Sequence, residues 1–287
     1  MKFGVSGNIQ NEKIREAVLK AIKSLDSKNI SYVIDEHFSK ALKLDNKGIP
    51  KKDLGRLSDL ILAFGGDGTL LYIAKEIGDC KTPILGINTG HLGFLTEIMP
   101  EEFPQKIDFL LSGEYSVEKR TMIESFVSDG PSNMIYAVND FTIEKGSYPR
   151  TIKIAIIIED EYCHTYTSNG IIVSTATGST AFSLSAGGPI VYPTIKDILI
   201  TPICPHTLSA RPMVIPEEFK IEFELISGPD EVPLIADGQF SRMLSPGQKI
   251  TIRKSKSVLN LIHFPSHSFF RVLSSKLGWG TRNENQI

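Results

Sequence analysis

The chain of 287 residues has little cysteine, and its three cysteines (Cys80, Cys163 and Cys204) lie far apart without C-x-x-C spacing. So few scattered thiols exclude a disulfide framework and a cysteine-based zinc site, and they favour a reducing compartment. No apolar run approaches the roughly 20 residues that span a bilayer. The first residues, MKFGVSGN, lack the apolar region of a signal peptide. We therefore expect a cytoplasmic protein with no membrane partner.

A strong charge of either sign is also missing. Lysine and arginine number 31 and aspartate and glutamate 33, for a formal net charge of -2. This balance does not favour a nucleic-acid groove or an anionic membrane surface. The six histidines show no spacing typical of a metal site, so we expect no metal held by the protein alone. The length suits one large domain or two ordinary ones.

The most informative segment joins an apolar run to a helical pattern through a glycine turn. Residues 61–64 (ILAF) predict a buried strand, residues 65–68 (GGDG) a turn, and residues 69–77 (TLLYIAKEI) a helix. Such a turn directs backbone N–H groups and the positive end of the helix dipole at one spot, where a phosphate can bind. Asp67 suggests that the ligand also brings a hydroxyl or a metal ion. The alternative is an ordinary turn in which Asp67 caps the helix.

The first part of the chain, residues 1–114, alternates strand and helix patterns. This alternation predicts an α/β domain with a doubly wound, mostly parallel sheet. A second glycine loop, residues 88–93 (NTGHLG), follows another predicted strand at 83–87. Because ligands bind beyond the carboxyl ends of such strands, we expect both glycine loops to face one crevice. The other predicted elements are strands at 2–5, 30–34 and 60–64 and helices at 11–25 and 100–111.

From residue 115 the pattern changes to short β-rich segments bounded by Gly, Pro, Asn and Ser. This predicts an all-β, sandwich-like domain over residues 115–265. The last part, residues 266–287, contains an amphipathic helical segment at 269–277 that is expected to return and pack on the first domain. The predicted strands are 115–127, 134–144, 152–159, 171–174, 219–226, 234–236, 249–253 and 258–262.

Residues 174–189 (STATGSTAFSLSAGGP) are rich in hydroxyls and small side chains. Hydroxyls and backbone amides bind phosphate or ribose without adding charge. Residues 180–186 predict a short helix whose start would face an anion. The alternative is a solvated Ser/Thr loop. Asn139 and Asp140, which end the apolar run 135–138, form a third polar feature.

Together these segments resemble the NAD kinase family. The matching motifs occur in the family's order and spacing: GGDGT at 65–69, NTGHLGFL at 88–95, VND at 138–140, TGSTAFSLSAGGP at 177–189 and ADGQ at 236–239. The tail from 269 to 279 is also similar to the family's C-terminal segment, so the resemblance covers nearly the whole chain. The glycine-aspartate turn alone is shared with diacylglycerol, sphingosine and phosphofructo-kinases, and the combination of motifs is far more specific.

The resemblance implies a kinase that transfers the γ-phosphoryl group of ATP to the 2′-hydroxyl of the adenosine ribose of NAD, forming NADP. By this likeness Asp67 would contact the ribose and accept the hydroxyl proton, and Gly68 would bring backbone to the dinucleotide. Asn139 and Asp140 would hold the adenosine end. Other residues implied at the dinucleotide site are Asn169, Thr180, Ala181, Phe182, Ser183, Leu184, Ser185 and Gln239. Mg²⁺ or another divalent cation would bind through the ATP phosphates, and the family's assembly implies a homodimer or homotetramer.

Three positions depart from the family pattern. Thr167 stands where many relatives carry Arg or another polar residue. Asn169 stands where many relatives carry Asp, which removes a negative charge and is expected to affect the preference between NAD and NADH. Phe182 replaces a common Tyr, which keeps the ring and loses a hydroxyl. Asp237, before Gly238, is either a turn aspartate or a residue that helps to close a site between the two domains.

Two other functions stay open from the sequence. A lipid kinase of the diacylglycerol or sphingosine type shares the glycine-aspartate turn, but it needs an apolar acceptor site, and the acceptor-side segments here are rich in hydroxyls. A non-catalytic sensor would bind NAD without releasing ADP, and the presence of Asp67 argues against it. No sequence feature distinguishes ATP from polyphosphate as the donor.

Overall fold

The computed structural model describes residues 1–9, 12–44, 48–90, 93–127, 134–265 and 268–279. It divides into two compact units: the first comprises Met1–Glu118 and a segment that begins at Asn260, and the second comprises Lys119–Leu259. The chain passes from one unit to the other twice, within two strands described below. The predicted combination of an α/β half and an antiparallel β half is confirmed.

A parallel sheet forms the centre of the first unit. Its strands are β1 (Lys2–Gly7), β2 (Ser31–Asp35), β3 (Gly48–Ile49), β4 (Leu60–Phe64) and β5 (Ile84–Ile87), and the end of a late strand, Lys249–His263, also joins it. The order is late strand, β5, β4, β1, β2, β3, and each neighbouring pair is parallel. Parallel neighbours require crossover connections, which here contain helices.

Helices cover both faces of this sheet. Leu62 of β4 belongs to the same apolar cluster as Val18 and Ile107, which come from two helices on one face. Gly4 of β1 lies against Leu54 on the other face, where an added methyl would stand 3.0 Å from Leu54 Cγ. The helices are α1 (Glu12–Ser27), α2 (Glu36–Leu42), α3 (Leu54–Leu57), α4 (Asp67–Ile77) and α5 (Phe103–Ser112).

Two antiparallel sheets form the second unit. The first contains β6 (Ser116–Val127), β7 (Ile135–Ala137), β9 (Ile152–Ile158), β10 (Glu161–Ser168), β14 (Ile221–Ser227) and β17 (Lys249–His263), the late strand named above. The second has the order β13-β12-β11-β8-β15-β16. Its strands are β8 (Asp140–Glu144), β11 (Gly170–Thr175), β12 (Asp197–Ile203), β13 (Met213–Pro216), β15 (Val232–Ala236) and β16 (Phe240–Leu244). The chain crosses between the units within β6 and within β17.

One apolar core lies between these two sheets. Ile156 and Phe223 of the first sheet belong to the same buried cluster as Ile143 and Val173 of the second. Successive residues of a strand point to opposite faces, so each sheet contributes its inner face to this core. A short helix, α6 (Phe182–Ser185), follows β11.

The last described helix, α7 (Phe269–Leu277), belongs to the first unit. Val272 and Leu273 are its buried residues, and the helix ends at Gly278, which adopts the left-handed conformation with φ of 67°. Each helix in the described ranges is too short or too polar to cross a membrane.

Two strand predictions were wrong in opposite ways. The predicted strand at 134–144 is interrupted between β7 and β8, because Val138 N–H donates to the side chain of Asp237. The predicted strands at 249–253 and 258–262 are one continuous strand, β17, which pairs with β14, β6 and β5. The sequence patterns did not predict α2, α3, β3, β10, β12, β13 or β16. Asn11, the start of the predicted helix 11–25, and His91 of the second glycine loop lie outside the described residues.

Candidate active site

The first glycine loop follows the fully buried strand β4 and turns sharply into α4. Gly65 has a φ of 153°, and its N–H donates to the Ile87 carbonyl at 3.0 Å. A side chain at Gly65 would collide with Thr69, whose Oγ1 lies 2.4 Å from the position of an added Cβ. Gly66 precedes the helix, which begins at Asp67 rather than at the predicted residue 69. The loop therefore places Asp67 and the exposed Gly68 in the first turn of a helix at the carboxyl end of a central strand.

The carboxylate of Asp67 binds the residues that directly follow the second glycine loop rather than its own helix. Phe94 N–H donates to Oδ2 at 2.8 Å, and Leu95 N–H donates to Oδ1 at 3.1 Å. The N–H groups of Thr69 and Leu70 donate to the Gly66 carbonyl instead, and the N-cap residue Gly66 offers no side chain to cap the helix. The alternative in which Asp67 is a helix cap is therefore wrong. The side chain remains partly exposed.

The second glycine loop is held by a buried amide–hydroxyl pair. Asn88 Nδ2 donates to Thr96 Oγ1 at 3.0 Å, and the same oxygen accepts the Gly93 N–H at 2.8 Å. Asn88 Oδ1 accepts the Gly90 N–H at 2.7 Å. Gly93 allows the two loops to approach, since a methyl at this position would lie 1.9 Å from Asp67 Oδ1. The two glycine loops thus meet within the first unit.

In the second unit, Asp237 fixes the turn that contains Asn139 and Asp140. Its backbone has a φ of 50°, as expected for a turn aspartate. Its carboxylate accepts three backbone N–H groups, from Val138 at 2.9 Å, Asn139 at 2.7 Å and Asp140 at 3.1 Å. In the other direction, its N–H donates to the Asp140 carbonyl at 2.9 Å. The break between β7 and β8 is therefore built around one side chain from a distant part of the chain.

The other side of Asn139 contacts the hydroxyl-rich loop. The Asn139 carbonyl accepts the Thr175 N–H at 2.9 Å. Gly178 lies so close that an added Cβ would stand 2.1 Å from this carbonyl oxygen. The backbone of Asn139 is thereby fixed from both sides, while its side chain stays partly exposed. This arrangement can present an amide group to a ligand in a defined position.

Asp140 is the carboxyl group whose ionisation the fold changes most clearly. Its pKa is raised from 3.8 to about 7, chiefly by burial and also by the negative charge of Asp237, while a hydrogen bond from Thr142 opposes both effects. The side chain is only 5% exposed, in agreement with the dominant role of burial. Near neutral pH, Asp140 therefore exists in both forms and can donate as well as accept a hydrogen bond.

The hydroxyl-rich loop contains a 3₁₀ turn at Thr177–Thr180 followed by α6, a much shorter helix than the predicted 180–186. Ser179 Oγ donates to the Val191 carbonyl at 3.1 Å, and Ser183 Oγ pairs with Thr201 Oγ1 at 2.9 Å, so both of these buried hydroxyls have partners inside the unit. The predicted binding residues of this loop that keep accessible surface are Thr180, Ala181, Phe182, Leu184 and Ser185.

The structure separates Asn169 from Asn139. In the pairing of β11 with β8, Gly170 lies opposite Glu144 and Ser174 lies opposite Asp140. Asn169 precedes Gly170, so it lies at the other end of this strand pair, six residues or roughly 20 Å along the strand from Thr175, which contacts Asn139. Gln239 is closer to that turn in the fold, because it follows the Asp237 turn and its N–H donates to the Ala236 carbonyl at 3.0 Å.

Several residues of the site were not found from the sequence. Gly93 and Gly178 are needed because atoms of another loop occupy the space that a Cβ would take, and the only sequence signal is a glycine inside a motif. The two donors to Asp67 are backbone groups, which have no sequence signal. In the described part of the chain, no group of three or more His, Cys, Asp or Glu side chains is arranged to hold a metal ion.

Comparisons with known proteins agree over the whole chain. The family model for the ATP-NAD kinase N-terminal domain matches residues 9–115, and that for the ATP-NAD kinase C-terminal domain matches residues 138–264. An NAD kinase of Chlorobium limicola is 41% identical over 288 residues, covering 98% of this chain and 97% of that protein. An NAD kinase of Chlorobium luteolum is 38% identical over 292 residues and covers all of both chains.

Solved structures show the same likeness. Yeast NADH kinase in complex with NADH superimposes with a TM-score of 0.89 at 27% identity, covering 98% of this chain and 88% of that one. An NAD kinase from Archaeoglobus fulgidus in complex with ATP gives a TM-score of 0.78 at 27% identity, covering 97% and 99%. With both family domains matched and relatives close to 40% identical over full length, the chain belongs to the ATP-NAD kinase family.

Proposed function

We propose that this chain phosphorylates the 2′-hydroxyl of the adenosine ribose of NAD with ATP, forming NADP, and that Asp67 is its catalytic carboxylate. The observation that carries the proposal is the position of Asp67, which lies partly exposed in a glycine loop at a strand's carboxyl end. Its carboxylate accepts the N–H groups of Phe94 and Leu95, just after the second glycine loop, instead of capping its helix. The solved relatives bind NADH in one case and ATP in the other, which supports sites for both substrates here.

The geometry of Asp67 suits proton transfer from a hydroxyl. Each carboxylate oxygen accepts one backbone N–H, and a carboxylate oxygen has further lone-pair capacity for a substrate hydroxyl. As the 2′-oxygen forms its bond to the γ-phosphorus, the bond from that phosphorus to the bridging oxygen breaks and ADP leaves. Asp67 takes the hydroxyl proton during this step. The start of α4 and the glycine amides favour nearby phosphate charge.

We assign NAD binding chiefly to the second unit. The fixed backbone at Asn139 lets its side chain and that of Asp140 meet the adenosine end, and Gln239 lies beside the neighbouring turn. The remaining proposed contacts are Gly68 in the first unit and Asn169, Thr180, Ala181, Phe182, Ser183, Leu184 and Ser185 in the second. For Ser183, whose hydroxyl already pairs with Thr201, the proposed role is to support the loop.

A divalent cation, Mg²⁺ in the first instance, is proposed to bind through the phosphates of ATP. The described residues contain no side-chain cluster that would cage a metal, and Mg²⁺ commonly keeps water and substrate phosphates as ligands. The cation supplies charge neutralisation on the phosphates, while the protein groups orient the acceptor and take its proton.

We also propose the domain bounds, the cellular location and the assembly that are expected from the sequence. These are a doubly wound domain at 1–114, a sandwich at 115–265, a returning segment at 266–287, a cytoplasmic location and a homodimer or homotetramer. Light scattering on the purified protein measures the assembly: a monomeric mass at assay concentration contradicts it.

The experiment that tests the activity uses labelled ATP and Mg²⁺ with either NAD or diacylglycerol as acceptor. We expect labelled NADP and ADP from NAD, and no labelled lipid. Labelled phosphatidate without NADP would indicate a lipid kinase, and NAD binding without ADP release would indicate a sensor. Excess chelator should abolish turnover, and undiminished turnover would contradict the cation requirement.

A further inference from the structure

The C-terminal segment of the first unit contacts Glu97, which lies two residues beyond the donors to Asp67. Glu97 accepts the Phe264 N–H at 2.6 Å through Oε1, and its Oε2 lies 2.7 Å from His263 Nδ1. The Glu97 side chain is 1% exposed, so these interactions are shielded from water. They fix one end of the stretch from Gly93 to Glu97 to the chain that leads into α7.

An aromatic contact fixes the other end of this stretch. The ring of Phe94 packs against the ring of Phe269, the first residue of α7, with centroids 6.0 Å apart at an angle of 44°. This separation and tilt are within the range of attractive aromatic pairs. Helix α7 is anchored by Val272 and Leu273, which are 5% and 4% exposed. The Phe94 ring therefore rests on a helix that is itself held in the core.

Phe94 is also the residue whose N–H makes the shorter hydrogen bond to Asp67, at 2.8 Å. The same residue thus carries a side chain fixed by α7 and a backbone donor fixed on the carboxylate. We propose that Phe269 is a positioning residue, which orients Asp67 through the ring and backbone of Phe94. The inference rests on the proposed catalytic role of Asp67, and it extends the active site to the C-terminal helix.

The physical argument is that a carboxylate needs a defined direction to accept a proton. Without the Phe269 ring, the Phe94 side chain loses its packing partner, and residues 93–95 sample positions in which the N–H groups leave Asp67. Substrate binding by the second unit does not depend on this contact. The expected defect is therefore in kcat, with little change in the KM for NAD.

The test compares Phe269→Ala with three other variants in full-length protein. Phe269→Tyr keeps the ring, Phe269→Leu keeps apolar volume without the ring, and Trp279→Ala removes an aromatic side chain that is 55% exposed in the same segment. We expect Phe269→Ala to lower kcat about 5- to 50-fold with the KM for NAD within about threefold of the parent. Phe269→Tyr should restore kcat to within about twofold, Phe269→Leu should stay intermediate, and Trp279→Ala should match the parent.

A second readout does not need activity. Hydrogen exchange of the Phe94 and Leu95 amides should be slow in the parent, and it should become at least tenfold faster in Phe269→Ala but not in Trp279→Ala. If Phe269→Ala does not fold, the same exchange and kinetic comparison between Phe269→Leu and Phe269→Tyr decides the matter. Parental kcat and parental exchange at both amides in the ring-deleted variant would overturn the proposal.

Asp67→Asn, assayed in parallel, separates this inference from the proposed function. Loss of turnover in Asp67→Asn together with normal turnover in Phe269→Ala would reject the positioning role alone. Near-parental turnover in Asp67→Asn would instead reject the catalytic role on which the inference rests.

Discussion

Two aspartates, one in each unit, hold a loop by accepting backbone N–H groups, and they differ in the number of N–H groups that each carboxylate accepts. Asp67 accepts two donors, from Phe94 and Leu95, and stays partly exposed at the start of a helix. Asp237 is also partly exposed, but it accepts three consecutive donors in a turn and lies beside the buried Asp140. The same hydrogen-bonding pattern therefore serves two purposes.

This difference suggests a division of labour. In the first unit, backbone donors orient a carboxylate that is still accessible to a substrate hydroxyl. In the second unit, a carboxylate orients the backbone, so that the side chain of Asn139 is presented to a ligand. We therefore assign turnover to Asp67 and acceptor binding to the Asn139 turn, and the following predictions test that assignment.

The largest effect is expected from Asp67→Asn. Asparagine keeps the shape and one acceptor oxygen, but it cannot take the hydroxyl proton in the same way, so kcat should fall about 10²- to 10⁴-fold. Steady-state kinetics with NAD and ATP measures this, with circular dichroism as a control for folding. Turnover close to that of the parent would remove Asp67 from the mechanism.

A smaller loss of turnover is expected from Gly93→Ala. The new methyl would lie 1.9 Å from Asp67 Oδ1, so the carboxylate or the loop must move, and kcat should fall about 10- to 100-fold because small displacements of a catalytic group are costly. Gly90→Ala is the matched control in the same loop, since its nearest neighbour is Asn88 Oδ1 at 3.7 Å. Equal kcat values for the two variants would show that the approach of the loops is unimportant.

The second unit should respond to pH through Asp140. Burial raises its pKa from 3.8 to about 7, so the folded state retains a proton that the unfolded chain releases. This contribution to the unfolding free energy is complete below pH 3.8 and is lost as the pH rises to about 7. Residue 140 does not titrate in Asp140→Asn, so the variant does not lose this contribution as the pH rises. The melting temperature of the variant minus that of the parent should therefore increase from pH 5 to pH 8.

The full difference for Asp140 corresponds to at most about 4 kcal/mol, from a shift of roughly three pKa units. Thermal unfolding of both proteins across this pH range measures it. The exposed Asp230→Asn is the control and should show a constant difference from the parent. A constant difference for Asp140→Asn as well would contradict the raised pKa.

The smallest effect is expected from Asn169→Asp. If its carboxylate lies near the nicotinamide ring, which is positive in NAD and neutral in NADH, kcat/KM should shift towards NAD by about threefold to tenfold, in keeping with roughly 1 kcal/mol for a solvated charge pair. Competition between the two acceptors measures the ratio. An unchanged ratio would show that Asn169 does not face the ring.

Sequence patterns were most reliable where local chemistry decides the structure. The buried strand β4, the glycine loop and α4 follow from consecutive residues, and the amphipathic α7 was predicted with its observed bounds. The break at Val138 was missed because it depends on Asp237, 99 residues later. The continuity of β17 was missed because it depends on pairing with β14, β6 and β5, which lie far from it or from one another in the sequence. Both errors arise from contacts between distant residues.

The candidate site was predicted in the same uneven way. The motif indicated Asp67 but not its direction, because its partners are the N–H groups of Phe94 and Leu95. Asn139 and Asn169 were both named, yet only the strand register shows that they lie at opposite ends of one strand pair. Register is set by pairing across the sheet, which a single sequence does not specify.

The most direct test of the division of labour is NAD binding by titration calorimetry, with Asp67→Asn and Asn139→Ala measured side by side. We expect Asp67→Asn to bind NAD with a Kd within about threefold of the parent. Asn139→Ala should weaken binding about tenfold, as expected for losing one hydrogen bond of about 1.4 kcal/mol. Loss of NAD binding in Asp67→Asn together with parental binding in Asn139→Ala would contradict the account.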